Sequence, residues 1–269
     1  KAEVEVLKRK VADERQLYSR VSQGFVSSKM QNILSKFYLD TEDSCYVLKL
    51  DGPAPIEAVS LQSTLPVDFL PSQISGVILT SPEALAGWKA RVQGSVRGSA
   101  TYRCQESTNR IEVRMRISEG HAGQISAYVI PALPPKACST ISVRVRPLCL
   151  HSRVSATEAG EAGPVSDLAI SGEFSASEIH RWLGACLPEM TRPLEGGEEH
   201  VLFRNCRFGT NLEVQYRDQK AVFRSLNIGT LGLLRENIAN QATSQGTRVN
   251  ISFNLNEGSI TKVLSDDPP

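Results

Sequence analysis

The residues of this chain that could do chemistry are its four histidines, its six cysteines and one acidic run. His121, His151, His180 and His200 could each ligate a metal or carry a proton, but they stand 20 or more residues apart and no H-E-x-x-H sets two on one helix face. Cys45, Cys104, Cys138, Cys149, Cys186 and Cys206 include no C-x-x-C, so neither a zinc knuckle nor a thioredoxin-type redox pair is encoded. Glu195, Glu198 and Glu199 sit in a glycine-bearing loop, where neighbouring carboxylates read as solvated rather than as an acid–base pair. The phosphate-cradling G-x-x-x-x-G-K-[ST], the G-x-S-x-G elbow and the Rossmann glycine fingerprint are missing. The expectation is a protein that is not an enzyme, with no cofactor and no metal.

Composition bounds the alternatives. At 269 residues the chain is long enough for two cores. A net charge of +1 creates no overall field toward nucleic acid or bulk membrane. Apolar content of 41% and charged content of 22% are ordinary for globular protein, and no apolar run approaches the roughly 18 residues of a membrane span. The even cysteine count admits disulfides; in a chain with no secretory leader the reading taken is free thiols buried in a cytosolic protein. The chain opens Lys1-Ala2-Glu3-Val4 inside a helical pattern and ends Asp266-Asp267-Pro268-Pro269; both ends read as cuts in a longer protein.

The elements that must position these residues come in three kinds. With Val4 as an a position, the a/d slots are Val4, Leu7, Val11, Glu14, Tyr18, Val21, Phe25 and Ser28, six of them apolar or aromatic. Lys8, Arg9, Lys10, Asp13, Arg15 and Arg20 lie between them. A narrow stripe with charged flanks is a coiled-coil seam. Residues 1–35 therefore read as a coiled-coil helix whose interface is Val4, Leu7, Val11, Glu14, Tyr18, Val21 and Phe25, with Glu14 setting register and another chain as partner. Packing of the helix on its own β domain is the competing reading.

Residues 36–151 switch to a period of two. Ile111, Val113, Met115 and Ile117 alternate with charged residues, as do Ile141, Val143 and Val145 with Ser142, Arg144 and Arg146. Earlier strands read as Cys45–Leu50, Ile56–Gln62 and Val77–Thr80, and the turn signals are Asp51-Gly52-Pro53, Glu119-Gly120 and Pro131 through Pro135. Short strands at this spacing predict an immunoglobulin-like β-sandwich, interrupted by a long unpatterned loop at Ser81–Ser99. Arg114, Arg116, Arg144 and Arg146 point outward. If their strands share a sheet they form a basic surface for acidic headgroups or an acidic partner; otherwise they are a solvated face.

Residues 152–164 read as a linker by composition. Residues 165–265 read as an α+β domain: a strand at Leu168–Phe174, a helix with capping-box spacing at Ser175 and Glu178, strands at His200–Phe208, Leu212–Tyr216 and Ala221–Leu226, a helix over Thr230–Ala242, and strands at Val249–Leu255 and Ile260–Leu264. His180 and Trp182 on the first helix are candidates for contact with a partner, or for packing in the core. The expected fold class is multidomain: coiled-coil helix, β-sandwich, then α+β platform.

Several residue runs narrow this further. Ala100-Thr101-Tyr102-Arg103-Cys104-Gln105, Glu119-Gly120, Ala127-Tyr128-Val129, Pro135-Lys136-Ala137-Cys138, Pro147-Leu148-Cys149-Leu150-His151, Gly172-Glu173-Phe174-Ser175, Glu178-Ile179-His180-x-Trp182 and Cys186-Leu187-Pro188-Glu189 are collinear with one family. With them, from about Leu39 to Leu264, the chain resembles the seventh Bardet–Biedl syndrome protein family, subunits of the coat-like BBSome of cilia. The resemblance implies a coiled coil, a γ-adaptin-ear domain and a platform domain, with a propeller before them and a helical region after. It implies no enzyme activity and no cofactor.

The resemblance also implies pairing through the coiled coil with the paralogous second Bardet–Biedl protein, contact with other BBSome subunits, and indirect handling of ciliary membrane-protein cargo. It implies peripheral membrane contact through the assembled complex and no nucleic acid. The implied location is cytoplasmic, at the cilium, ciliary membrane, basal body and centrosome region. The function expected is that of a non-enzymatic scaffold; the alternative is an adaptor-type module binding short cargo peptides through its platform.

Overall fold

The computed structural model describes residues 4, 6–8, 10–15, 33–80, 96–132, 138–155, 157, 165–190 and 198–257. The chain divides into two compact units. Tyr46–Arg116 and Gln124–Arg144 belong to the first, together with the chain up to Tyr38; Leu39–Cys45, Ile117–Gly123 and the chain from Val145 onward belong to the second.

The first unit is built from β1 (Leu34–Asp40), β2 (Cys45–Ser63), β3 (Val67–Phe69), β4 (Val77–Thr80), β5 (Val96–Arg97), β6 (Ser99–Ile117), β7 (Gly123–Pro131) and β8 (Ser139–Val145), hydrogen-bonded as one sheet. Strands β2 and β6, each 19 residues long, organise it. Tyr46–Asp51 of β2 pairs with Met115–Arg110 of β6, the register slips between Asp51 and Ala58, and Ala58–Gln62 then pairs with Arg103–Ser99. A bulge of this kind bends both strands and raises their twist. The neighbours divide at the bend. Strand β7 pairs with the later half of β2 and β4 with the earlier half of β6, whereas Phe37 of β1 stacks on Tyr46 at 4.6 Å, in the other half of β2. The halves make two layers. The buried Tyr102 hydroxyl in one donates to the Leu70 carbonyl at 2.6 Å, and the Leu70 N–H bonds to Arg114 in the other. Leu48, Leu50, Val59, Leu61, Phe69, Ile111, Val113, Met115 and Ile125 are fully buried.

The second unit contains β9 (His151–Val154), β10 (Ser166–Gly172), α1 (Ala176–Cys186), β11 (Glu198–Asn205), β12 (Asn211–Arg217), β13 (Lys220–Ser225), α2 (Ile228–Ser244) and β14 (Val249–Asn254). Its sheet has the order β14-β10-β13-β12-β11-β9, antiparallel throughout. Strict alternation sends Leu168, Ile170, Val201, Phe203, Leu212, Val214, Tyr216, Ala221 and Phe223 to one face, where they pack with Trp182, Leu183, Leu231, Leu234 and Ile238 of the helices. Burying each of these large side chains contributes about 1.5–3 kcal/mol.

Local chemistry sets the helix ends. At α1 the Ser175 side chain accepts from the Glu178 N–H while Glu178 reaches back to the Ser175 N–H, the reciprocal capping box. Carbonyls at and just beyond its C-terminus are met from outside: Leu148 N–H donates to Cys186 O at 3.1 Å, and the Arg146 guanidinium donates to Pro188 O at 2.7 Å. At α2 the Asn227 side chain accepts from Gly229 and Thr230.

Four expectations need correction. Asp51-Gly52-Pro53 does not separate two strands; it lies in the irregular stretch of the single strand β2, because a bulge absorbs the kink without ending the pairing. The stretch read as a loop to Ser99 ends in strand, since residues 96–97 form β5 and Ser99 opens β6; residues 81–95 lie outside the described residues. Residues 152–154 of the expected linker form the edge strand β9, paired with β11. The strand expected over His200–Phe208 ends at Asn205, whose side chain turns the chain. The strand expected at Ile260–Leu264 lies outside the described residues.

Gly172 of β10 pairs with Val249 of β14 and leaves no room for a side chain: a Cβ there would clash with the Arg248 carbonyl oxygen and stand 3.0 Å from Val249 Cα, both backbone. Gly172→Ala is expected to destabilise this unit by about 2–3 kcal/mol, read as a lower urea midpoint. An unchanged midpoint would show that β14 is not held against β10 in this register.

Candidate functional site

Three surfaces and one buried node carry the polar and reactive groups. On the N-terminal helix, residues 4, 6–8 and 10–15 are helical. Val4, Leu7 and Val11 are 55%, 61% and 48% exposed, and they line an open groove with Lys8, Ala12 and Arg15. Glu14 is exposed on the same helix. Tyr18, Val21 and Phe25 lie outside the described residues. No second helix covers this stripe among the described residues, so the coiled coil itself is not seen.

The four arginines do not make one patch. Arg114 and Arg116 lie on the half of β6 that pairs with the start of β2, whereas Arg144 lies on β8, reached through β7 and the other half of β2. Arg146 lies beyond the end of β8 and is committed to the Pro188 carbonyl. Alternation along a strand says which way a side chain points, not which layer its strand joins.

On α1, Trp182 is wholly buried, tilted against Phe174 at 5.6 Å, with its indole N–H donating to Gln245 at 3.0 Å. That ring offers no surface to a partner. His180 is half-buried, and its Nδ1 is 2.6 Å from the Tyr216 hydroxyl. Burial pushes the Tyr216 phenol well above its ordinary range, so it stays protonated. The opposite face of the sheet holds a shallow concavity of about 230 Å³ lined by Gln215, Tyr216, Arg217, Lys220, Val222 and Arg224. Acids share this face with its cations: Arg224 and His200 approach Glu213 at 3.5 and 2.8 Å, and the register sets Asp167 opposite Arg224.

The node is centred on Glu119, whose side chain is 13% exposed. One carboxylate oxygen accepts from the Leu150 N–H at 3.0 Å and meets His151 Nδ1 at 2.8 Å; the other accepts from Asn205 Nδ2 at 2.8 Å. Asn205 is fully buried, and its Oδ1 accepts from the Arg207 and Phe208 N–H groups at 3.0 Å each. Phe208 is 55% exposed, with the Arg207 guanidinium 5.7 Å from its ring centre. Sequence reasoning noted Glu119 as a turn signal and missed Asn205 and Phe208. The signal was present as Asn205 followed by Gly209, which takes φ +65.

Around this node lie thiols. All six cysteines are free; Cys45, Cys149 and Cys186 are buried and Cys138 is exposed. Burial, reinforced by the Glu119 charge, pushes the Cys149 and Cys186 thiols up to about 12. Burial also raises Cys206 against the opposing hydrogen bond from Ser44. These are inert protonated thiols rather than nucleophiles. Among the described residues no three His, Cys, Asp or Glu side chains are arranged to hold a metal.

In the native protein Cys149 and Cys186 are expected to resist a chromogenic disulfide reagent that labels Cys138 readily, and to react only on unfolding. Because the folded state holds two thiol protons that the unfolded chain releases near the ordinary 9.0, stability is expected to fall as pH rises from about 9 toward about 12. Labelling of either thiol at the rate of Cys138 would contradict the buried environment.

Comparison with known proteins assigns both units. The model of the BBS7 GAE domain matches residues 30–143 and that of the BBS7 platform domain matches residues 151–254. The chain is 33% identical over 268 residues to the BBSome complex member BBS7 of Mus musculus, covering 98% of this chain and 36% of that protein. It is 27% identical over 274 residues to the BBSome complex member bbs-7 of Caenorhabditis elegans, covering 98% of this chain and 37% of that protein. The chain thus spans about a third of the length of these curated relatives. Two domains of one family, matched in chain order over a sandwich with bent long strands and a platform with helices on one face, lead to one conclusion: the chain belongs to the BBS7 family and carries its GAE and platform domains.

Proposed function

We propose that this chain is the docking portion of a BBSome subunit, a non-enzymatic scaffold within a complex that moves membrane proteins to and from cilia. The observation that carries the reading is the match of both domains to one family whose curated relatives are named as BBSome complex members. The exposed stripe Val4, Leu7 and Val11 supports a helix that pairs with another chain, and the paralogous second Bardet–Biedl protein is the partner proposed, with other BBSome subunits docking on the two domains. Cargo contact is indirect, and membrane contact is peripheral through the assembled complex. The working location is the cytoplasm and the cilium, its membrane, basal body and centrosome region. No helix among the described residues is long and apolar enough to cross a membrane.

The second reading, an adaptor-type module for short cargo peptides, is supported by the concavity between Gln215 and Arg224 on the open sheet face. The Glu213 carboxylate among its cations favours a peptide carrying both signs over a simple anion.

Light scattering tests the first reading. Residues 1–269 mixed with the coil-plus-ear fragment of the paralogous subunit are expected to give a one-to-one complex. Leu7→Asp with Val11→Asp is expected to leave both domains folded and the chain monomeric. A wild-type chain that stays monomeric in the mixture would remove the pairing claim and move the peptide-binding reading ahead.

A further inference from the structure

The turn between β11 and β12 presents a rigid aromatic anchor. Its five consecutive backbone donors are all satisfied: Asn205 N–H by Thr210 O at 2.9 Å, Cys206 N–H by Leu150 O at 2.9 Å, Arg207 and Phe208 N–H by the Asn205 side chain, and Gly209 N–H by Asn205 O at 2.8 Å. The Asn205 side chain is itself fixed by Glu119. A turn so fully bonded keeps one conformation, and the ring it carries still faces solvent. Among the described residues the other exposed large apolar side chains are aliphatic; Phe208 alone is aromatic. One guanidinium stands beside it, the Arg207 carbon 5.7 Å from the ring centre, and Arg204 lies at the next residue of the turn, 3.5 Å from where a Cβ on Gly209 would stand.

A rigid, half-exposed ring beside arginine is the composition of an interface hot spot, where little side-chain entropy remains to be lost on binding. The flanking charge requires acidic groups opposite. A bilayer fits less well: one ring with its adjoining guanidinium gives binding no tighter than about millimolar, whereas the same group inside a larger protein interface acts with its neighbours. We propose that the Arg207–Phe208 turn is a preformed anchor that enters an apolar pocket rimmed by carboxylates on a neighbouring protein subunit. The inference rests on the chain acting within an assembly.

The test uses the full-length subunit titrated into the BBSome lacking it. Wild type, Phe208→Ala and Arg207→Glu are compared, with thermal unfolding of each as a control for folding. Both side chains are solvent-exposed, so unfolding is expected to be unchanged while each variant binds at least about tenfold more weakly. In parallel, photoreactive benzoylphenylalanine at position 208 is expected to crosslink to one subunit, at a peptide holding Asp or Glu beside apolar residues. Wild type that fails to join the complex would sink the assembly reading itself. Wild type that joins with variants of equal affinity, or crosslinking to lipid alone, would overturn the anchor and leave the assembly reading standing.

Discussion

One largely buried carboxylate constrains the end of the platform sheet where β9 pairs with β11. Glu119 accepts from a backbone N–H, an amide side chain and an imidazole at 2.8–3.0 Å. Hydrogen bonds to a charged acceptor in a shielded site are the stronger class, and leaving their donors orphaned there costs more than the bonds contribute. The three donors belong to the start of β9 and the end of β11, which pair at His151 and Asn205. Glu119 therefore fixes the register of the edge strand and, through the Asn205 side chain, the shape of the turn beyond it.

The rest of the platform is consistent with that role. Several of its polar groups close helix ends and fix side chains. Arg146 and Leu148 close the open carbonyls after α1, Ser175 and Glu178 close its start, and Gln245 accepts from both Arg181 and Trp182. The buried Cys149 and Cys186 thiols sit protonated. Among the described residues, what faces solvent includes an apolar helix stripe, a concavity of mixed charge and a rigid turn with an aromatic ring. A chain with several such surfaces suits the scaffold proposed for it.

Much of this was legible in the sequence where the signal is local. Period-two alternation located the strands, the Ser175–Glu178 spacing located the start of α1, and the collinear runs identified the family. What the sequence hid depends on long-range pairing. Asp51-Gly52-Pro53 carries every mark of a turn, yet β6 pairs with β2 on both sides of it and holds one strand together. Arg114 and Arg144 share an outward alternation but not a layer. Residues 152–154 look like linker by composition because an edge strand needs few apolar residues; their pairing with Leu202–Arg204 is supplied by β11. Asn205 reads as one more strand residue until its side chain is seen to cap the turn.

The most direct test of the node is amide hydrogen exchange at Leu150, Arg207 and Phe208 in the wild type and in Glu119→Gln. The substitution keeps the shape but sets an amide donor among existing donors. Faster exchange at all three amides, by about tenfold or more, with the core strands β12 and β13 unchanged, is the predicted result. Exchange at Arg207 and Phe208 equal to wild type would mean that the turn holds itself and that Glu119 does not organise this edge of the platform.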